Sequence, residues 1–213
     1  MLVAFDLDDT LFAEADFVES AYRAIASRYG AELLPLMMSA PSPAAAFDAT
    51  GLPIDRLIAI YRRHMPDIRL APEVRRMLAT LSDAGHRLAI VTDGRSVTQR
   101  NKIRALGLDR LVAPRDIFIS EEVGADKLSG EAFVMLDESY PAELPKIYVA
   151  DNPAKDFLIP NRLNWRTVCL LNCGRNIHPQ QFESVEAGFR PSEKISSLAE
   201  LPELVNKFER LKK

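Results

Sequence analysis

The chain has two cysteines in 213 residues, no long apolar run and no concentration of basic charge. Each shortage removes a class of protein. Cys169 and Cys173 lack the spacing of a common zinc pair, and no second pair completes a site, so a structural zinc is not expected. They are expected to be reduced and structural, at the end of a strand, since free cysteine is commonly buried. Without a run of about 18 apolar residues, no membrane-spanning helix is expected. The 27 basic residues are outnumbered by 30 acidic ones, and both are spread along the chain. A net charge of −3 without a basic stripe gives a nucleic-acid partner no electrostatic footing. The basic ending, Lys207 to Lys213, reads as cations at the C-terminus of a last helix. The start of the chain lacks the basic stretch, long apolar stretch and cleavage site of a secretory signal, so a cytoplasmic location is expected. His64, His86 and His178 are isolated. His86 reads as structural, and His64 falls at a helix end, where a cation is favoured.

What is present is the balance of an ordinary globular protein long enough to bury a core without disulfides. Five short runs are apolar at consecutive positions: 2–5, 88–91, 117–119, 147–150 and 168–171. Unbroken runs suit strands covered on both faces, as in a parallel sheet. Between them lie helical patterns. Val74, Met77, Leu78 and Leu81 share one face, with Pro72 near the start and Gly85 just past the end. A second helix is predicted from Ser96, as N-cap, through Ile103 and Leu106 to Gly107. A third covers 130–138, and a fourth runs from near Pro153 to before Trp165. The alternation predicts a doubly wound α/β fold with a mostly parallel sheet. Residues 14–71 break the rhythm. Phe17, Val18, Ala21, Tyr22, Ile25 and Tyr29 predict one amphipathic helix, and Ile54, Leu57, Ile58 and Tyr61 another. Ala40-Pro41-Ser42-Pro43 between them reads as a loop. The expected organisation is therefore an α/β core from 1–13 and 72–213, with 14–71 as a small all-helical cap after the first strand. Ser197 and Glu200 form a capping box, and Leu198, Leu201, Leu204, Val205, Phe208 and Leu211 supply the buried face of a closing helix.

Ligands of open α/β sheets gather at the carboxyl ends of the strands. The first strand ends in Asp6, with Asp8 two residues on; the second ends in Thr92-Asp93-Gly94; the fourth ends in Asp151-Asn152, followed by Asp156. Lys127 lies in the loop after the third. Carboxylates packed together repel and shift their pKa values upward unless a cation intervenes. An all-oxygen, carboxylate-rich site suits a hard ion, and Mg²⁺ that also holds a phosphate is the expected occupant.

These residues resemble the haloacid dehalogenase-like (HAD) superfamily over nearly the whole chain. Its first motif, a strand ending in Asp-x-Asp-x-Thr, is matched by Asp6, Asp8 and Thr10. The second, a strand ending in Thr or Ser, is matched by Thr92; the third, a lone lysine, by Lys127; the fourth, an acidic pair, by Asp151 and Asp156. Two positions depart from the usual pattern: Ala150 stands where glycine is usual, and Leu128 where proline often follows the lysine. Neither removes a reacting group.

The resemblance implies a Rossmann-like core and a phosphatase in which Asp6 attacks phosphorus and forms an aspartyl-phosphate. Asp8 would protonate the leaving alkoxide and then activate water. Asp6, the backbone carbonyl of Asp8, and Asp151 would hold Mg²⁺, with Asp156 a ligand directly or behind a water. Thr92 and the backbone around Asp93 and Gly94 would bind phosphoryl oxygens, and Lys127 would offset negative charge. Asp9 and Thr10 read as structural, and Asp93 as equally suited to a local hydrogen bond. Family members that dehalogenate lack an acid at the position of Asp8, because a halide leaves without a proton. The expected substrate is thus a small phosphorylated metabolite, read by the cap. The alternatives are a phosphomutase, a phospho-accepting receiver module, in which the acceptor Asp follows a middle strand rather than the first, and an idle relative that only binds phospho-ligands.

Overall fold

The computed structural model describes residues 1–183 and 185–210. In chain order the elements are β1 (Leu2–Phe5), α1 (Glu14–Tyr29), α2 (Leu33–Met38), α3 (Pro43–Ala49), α4 (Ile54–Arg63), α5 (Pro72–Asp83), β2 (Arg87–Thr92) and α6 (Ser96–Ala105). They continue with β3 (Ile117–Ile119), α7 (Ser120–Val123), α8 (Glu131–Glu138), β4 (Lys146–Ala150), α9 (Leu158–Arg162), β5 (Arg166–Leu170), β6 (Glu193–Ile195) and α10 (Leu201–Arg210). The six strands form one parallel sheet in the order β3-β2-β1-β4-β5-β6. β1 is central, with β2 on one side and β4 on the other. The order reverses around it, which opens a crevice at the carboxyl edge.

Alternation along each strand sends side chains to opposite faces. Val3, Phe5, Ile90, Ile147 and Val149 point into one core, closed by Val74, Met77, Leu78 and Leu81 of α5 and by Leu201, Val205 and Phe208 of α10. Leu2, Ala4, Ala89, Val91, Tyr148 and Ala150 point into the other, closed by Phe133 of α8 and Trp165. Phe133 meets the rings of Tyr148 and Trp165 edge-on, with centroids 4.9 and 6.0 Å away. The Tyr148 hydroxyl is buried and donates to the Val91 carbonyl at 3.2 Å. Burial on both faces explains why the strand segments read as unbroken apolar runs.

Helices α1 to α4 lie between β1 and α5 and enclose a third cluster of Tyr22, Ile25, Met37, Phe47 and Leu57. Phe17, on the same α1, belongs instead to the core beneath the sheet. Tyr61 joins the two clusters, its ring 5.2 Å from that of Phe17 and 5.7 Å from that of Phe47. The end of α4 docks on α6 through its carbonyls: Thr98 donates to Arg62 O, and Asn101 to Arg63 O and His64 O.

Several sequence expectations need correction. Of the proline-rich stretch read as a loop, Ala40, Pro41 and Ser42 do lie between helices, but Pro43 starts α3: Ser42 caps it by accepting from Ala45 N–H, and proline suits the first position, where no amide hydrogen is needed. The helix expected from Pro153 begins only at Leu158, because the Asp156 carboxylate accepts the Asn152 N–H and folds 152–156 into a turn. Ser96 is not an N-cap but the first helical residue, its N–H bonded to Glu121 at 2.7 Å. The edge strand β6 escaped notice because only Ile195 of its three residues is buried. Cys169 is buried as expected, whereas Cys173 is exposed on the loop after β5; both are free. Burial lowers the pKa of His64 and disfavours the cation expected at the end of α4. The capping box at Ser197 and Glu200 is formed as read, whereas Leu211 lies outside the described residues. Among the described residues no helix is long and apolar enough to cross a membrane.

Phe133→Ala removes the ring that wedges Tyr148 against Trp165. Unfolding in urea is expected to show a loss of about 3–5 kcal/mol. A loss below about 1 kcal/mol, the level of an ordinary surface change, contradicts this account of the core.

Candidate active site

Adjacent strands bring sequence-distant side chains to one point on the carboxyl edge. Asp6 follows β1, and its N–H continues the ladder to Val149 O at 2.9 Å. Asp151 follows β4, and Thr92 ends β2. Lys127 arrives from the loop between α7 and α8 and is fully buried. Its ammonium lies 2.7 Å from Asp6 Oδ1 and 2.9 Å from Asp156 Oδ1. Asp6 Oδ1 also accepts the Leu7 N–H at 2.7 Å. Burial raises the Asp6 carboxyl to about 6 against the pull of Lys127. Burial also pushes Asp151 up to about 7, helped by the negative charges of Asp6 and Asp156. Burial pulls the Lys127 ammonium down, but Asp156 and Asp6 outweigh it and hold its pKa well above the ordinary lysine range. A single buried cation therefore serves three buried carboxylates.

Asp8 faces away from that group. Its Oδ1 accepts from Lys102 Nζ at 2.7 Å and its Oδ2 from Gln99 Nε2 at 2.9 Å. The same Gln99 nitrogen lies 2.7 Å from Thr92 Oγ1 and 3.2 Å from Asp93 O. Gln99 and Lys102 are both buried on α6, and neither was singled out from the sequence. A signal was available: Val97, Ile103 and Leu106 are the only large apolar residues of the predicted helix 96–107, and Val97 lies on the opposite side from Leu106, so part of the buried face must be polar.

The remaining expected residues serve the scaffold around the site. Asp93 accepts the Lys127 N–H at 3.1 Å through Oδ1 and Lys155 Nζ at 3.3 Å through Oδ2, which ties the lysine loop to β2. The Gly94 N–H is taken by the Ser120 hydroxyl at 2.9 Å. Asp9 has a positive φ of 54° and accepts the N–H groups of Glu14 and Ile177, each at 2.8 Å. The Thr10 hydroxyl reaches Asp151 Oδ1 at 3.5 Å. The loop after β5 reaches the site too. Asn176 donates to Asp151 Oδ2 at 2.8 Å, and Gln180 to Asp151 O at 2.6 Å. Arg175 pairs with Asp16 on α1 at 2.5 Å. Nothing in the sequence marked this loop, because its contacts lie across the sheet edge.

A sequence profile of haloacid dehalogenase-like hydrolases matches residues 3–167, which include Asp6, Thr92, Lys127, Asp151 and Asp156. The chain belongs to that family. No curated protein sequence matches this hydrolase. Solved structures do, end to end. The HAD-hydrolase YfnB from Bacillus subtilis, bound to magnesium, is 20% identical with a TM-score of 0.66, over 96% of this chain and 98% of that one. A predicted phosphoglycolate phosphatase from Haemophilus somnus is 20% identical with a TM-score of 0.64, over 96% and 97%. L-2-haloacid dehalogenase from Xanthobacter autotrophicus is 15% identical with a TM-score of 0.65, over 97% and 99%. At these identities the likeness concerns the fold, which carries more than one chemistry in this family.

The acidic group of this hydrolase fits a hard cation. Asp6, Asp151 and Asp156 each offer a carboxylate oxygen, all within 4.8 Å of one another. Asp156 is engaged at both oxygens, by the Lys127 ammonium and by Asn152 N–H. Asp6 meets its partners through Oδ1, and Asp151 takes only neutral hydrogen bonds, the one at Oδ1 as long as 3.5 Å, so these two are the freer donors. The Asp8 carboxylate is not in the group; from that residue only the backbone carbonyl is left as a ligand. The upward shifts of Asp6 and Asp151 mark a site short of positive charge.

These shifts carry a sign. A carboxyl with a folded-state pKa above its ordinary value of 3.8 binds its proton more tightly when folded. Its contribution to stability is present at low pH and is lost as pH rises through about 6 to 7. A bound divalent cation offsets that loss. Thermal melts in EDTA and in MgCl₂ are expected to differ little at pH 5 and most above pH 7, by about 2.7 kcal/mol at a hundredfold excess over Kd. Equal melts at all pH values, or an unchanged magnesium effect in Asp151→Asn, contradict a cation site here.

Proposed function

We propose that this hydrolase is a Mg²⁺-dependent phosphatase acting on a small phosphorylated metabolite. The observation that carries the reading is Asp8, a carboxylate two residues from Asp6 and joined to Thr92 through the amide of Gln99. A halide leaves carbon without a proton, and an acid beside the nucleophile has no task in that reaction. An alkoxide leaving phosphorus is a strong base and benefits from one. The similar structures include both phosphatase and dehalogenase, so the choice rests on this residue rather than on the fold.

In this reading an Asp6 oxygen attacks phosphorus opposite the leaving oxygen, forming a P–O bond as the ester P–O bond breaks. Protonated Asp8 delivers its proton to the departing oxygen. The aspartyl-phosphate is then hydrolysed by a water that gives its proton to Asp8, restoring both groups. Thr92 already accepts a hydrogen bond from Gln99, so its own hydrogen is free for a phosphoryl oxygen. Lys127, held against Asp6, lowers the repulsion between the nucleophile and the incoming dianion. Mg²⁺ held by Asp6 and Asp151, with Asp156 behind them, supplies charge neutralisation at the phosphoryl group. Helices α1 to α4 serve as the cap over the site and as the part that reads the rest of the substrate.

A phosphomutase would use the same residues but return the phosphoryl group to substrate. The test is release of inorganic phosphate from a metabolite panel with Mg²⁺, with halide release from 2-chloropropionate measured alongside. Phosphate release is expected for the wild type and none for Asp6→Asn; Asp8→Asn is expected to lose about 10²–10⁴-fold on alkyl esters. Halide release without phosphate release would sink the proposal, and isomerised ester without free phosphate would make the protein a mutase.

A further inference from the structure

Lys102 and Gln99 present a problem of their own. A lysine ammonium is rarely buried, and burying one without a partner is costly. Lys102 is 3% exposed, and its Nζ lies 4.2 Å from the ring centroid of Phe17 on α1. Asp8 is its only carboxylate partner within 4 Å among the described residues. Gln99 is 1% exposed. Asp93 O, a backbone carbonyl, can only accept, so the amide nitrogen of Gln99, not its oxygen, faces it and Asp8 Oδ2. That nitrogen has two hydrogens and three acceptors around it, so it is fully committed. The backbone makes room for it. A Cβ at Gly94, whose φ is +145°, would stand 3.1 Å from Gln99 Cγ and Cδ. The three-residue spacing along α6 places Gln99 and Lys102 side by side on the helix face.

We infer that Gln99 and Lys102 are positioning residues that clamp the two oxygens of Asp8 and lock this acid to the Thr92 hydroxyl. The inference rests on the phosphatase reading and deepens it. One oxygen of Asp8 is fixed by Lys102 and the other by Gln99, so its carboxyl plane cannot rotate. An ionised carboxylate offers about four lone-pair directions, and the clamp uses two. The remaining directions carry the proton to and from the substrate. Gln99 sets the Thr92 hydroxyl in the same step, so the group that holds a phosphoryl oxygen and the group that serves the leaving oxygen move as one. Phe17 covers the ammonium of Lys102, which puts a residue of the helical insertion against the clamp.

The test separates an acid–base role from a merely structural one by varying the basicity of the leaving group. With Mg²⁺ present, kcat/KM is measured for p-nitrophenyl phosphate, whose phenolate leaves readily, and for benzyl phosphate, similar in size but with an alkoxide leaving group. Lys102→Met is expected to lose about 10²-fold on benzyl phosphate and no more than about threefold on p-nitrophenyl phosphate, and Gln99→Leu, which also releases the Thr92 hydroxyl, to lose on both esters but at least about tenfold more on benzyl phosphate. Lys102→Arg, which keeps charge and hydrogen bond, is expected to recover most of the loss. In an Asp8→Asn background Lys102→Met should not lower benzyl phosphate turnover further, and Gln99→Leu should lower both esters equally, because the group that separates the two leaving groups is gone. Equal losses on both esters, or full additivity with Asp8→Asn, overturn the clamp and leave the phosphatase reading intact. No phosphate release by the wild type from these esters or from the metabolite panel overturns that reading, and the clamp with it. If Lys102→Met fails to fold, Gln99→Leu, which removes no charge, decides the matter alone.

Discussion

The site is organised by one scarce resource, positive charge. Asp6, Asp151 and Asp156 converge at the edge of a sheet buried on both faces, where water cannot screen them, and one lysine stands among them. Lys127 touches two of the three. The third, Asp151, receives neutral hydrogen bonds from Asn176 and the more distant Thr10, and burial raises its pKa to about 7. Removing Lys127 would leave Asp6 and Asp156 buried without a counter-charge, a change that in general costs about 3–5 kcal/mol. The surrounding contacts follow from that constraint. Asp93 fixes the backbone of Lys127, Asn152 fixes Asp156, and Gln180 holds the carbonyl of Asp151.

Charge is partitioned as well as concentrated. Asp8 is only two residues from Asp6, yet its carboxylate turns to a second lysine, Lys102, on a different helix. The loop therefore splits its acids into two compartments. One faces Lys127 and the other faces Lys102 and Gln99; in the phosphatase reading the first meets a cation and an incoming anion and the second handles the proton. Asp9, between them in the same loop, is removed from both, and its two oxygens hold backbone N–H groups of Glu14 and Ile177. Four acidic or polar positions in five residues thus reach four separate fates.

The reacting groups were legible in the sequence because they sit where strands end, and the strands announce themselves as unbroken apolar runs. The α/β class, the helical insertion and the joint placement of Asp6, Asp8, Thr92, Lys127, Asp151 and Asp156 followed from that one regularity. What escaped has a physical reason in each case. Gln99 and Lys102 are polar residues on a helix, which by composition belong in solvent, and only a tertiary partner explains their burial. The short helices α2 and α3 are held by packing around Met37 and Phe47 rather than by pattern. Asp93 was read as a choice between substrate and a local bond; its partners come from residues 34 and 62 positions away.

The place of β1 in the sheet has a consequence for the making of the protein. β1 lies in the middle of the sheet, and both its neighbours come much later in the chain: β2 at Arg87–Thr92 and β4 at Lys146–Ala150. At about 5–20 residues per second, several seconds pass before either edge of Leu2–Phe5 can be paired. Throughout that interval the ribosome carries a short apolar strand with open hydrogen-bonding edges, followed at once by uncompensated aspartates. Those aspartates, without their counter-charge until Lys127 has emerged, flank the apolar strand as gatekeeper residues do: the loop that builds the site also guards the strand before it is paired.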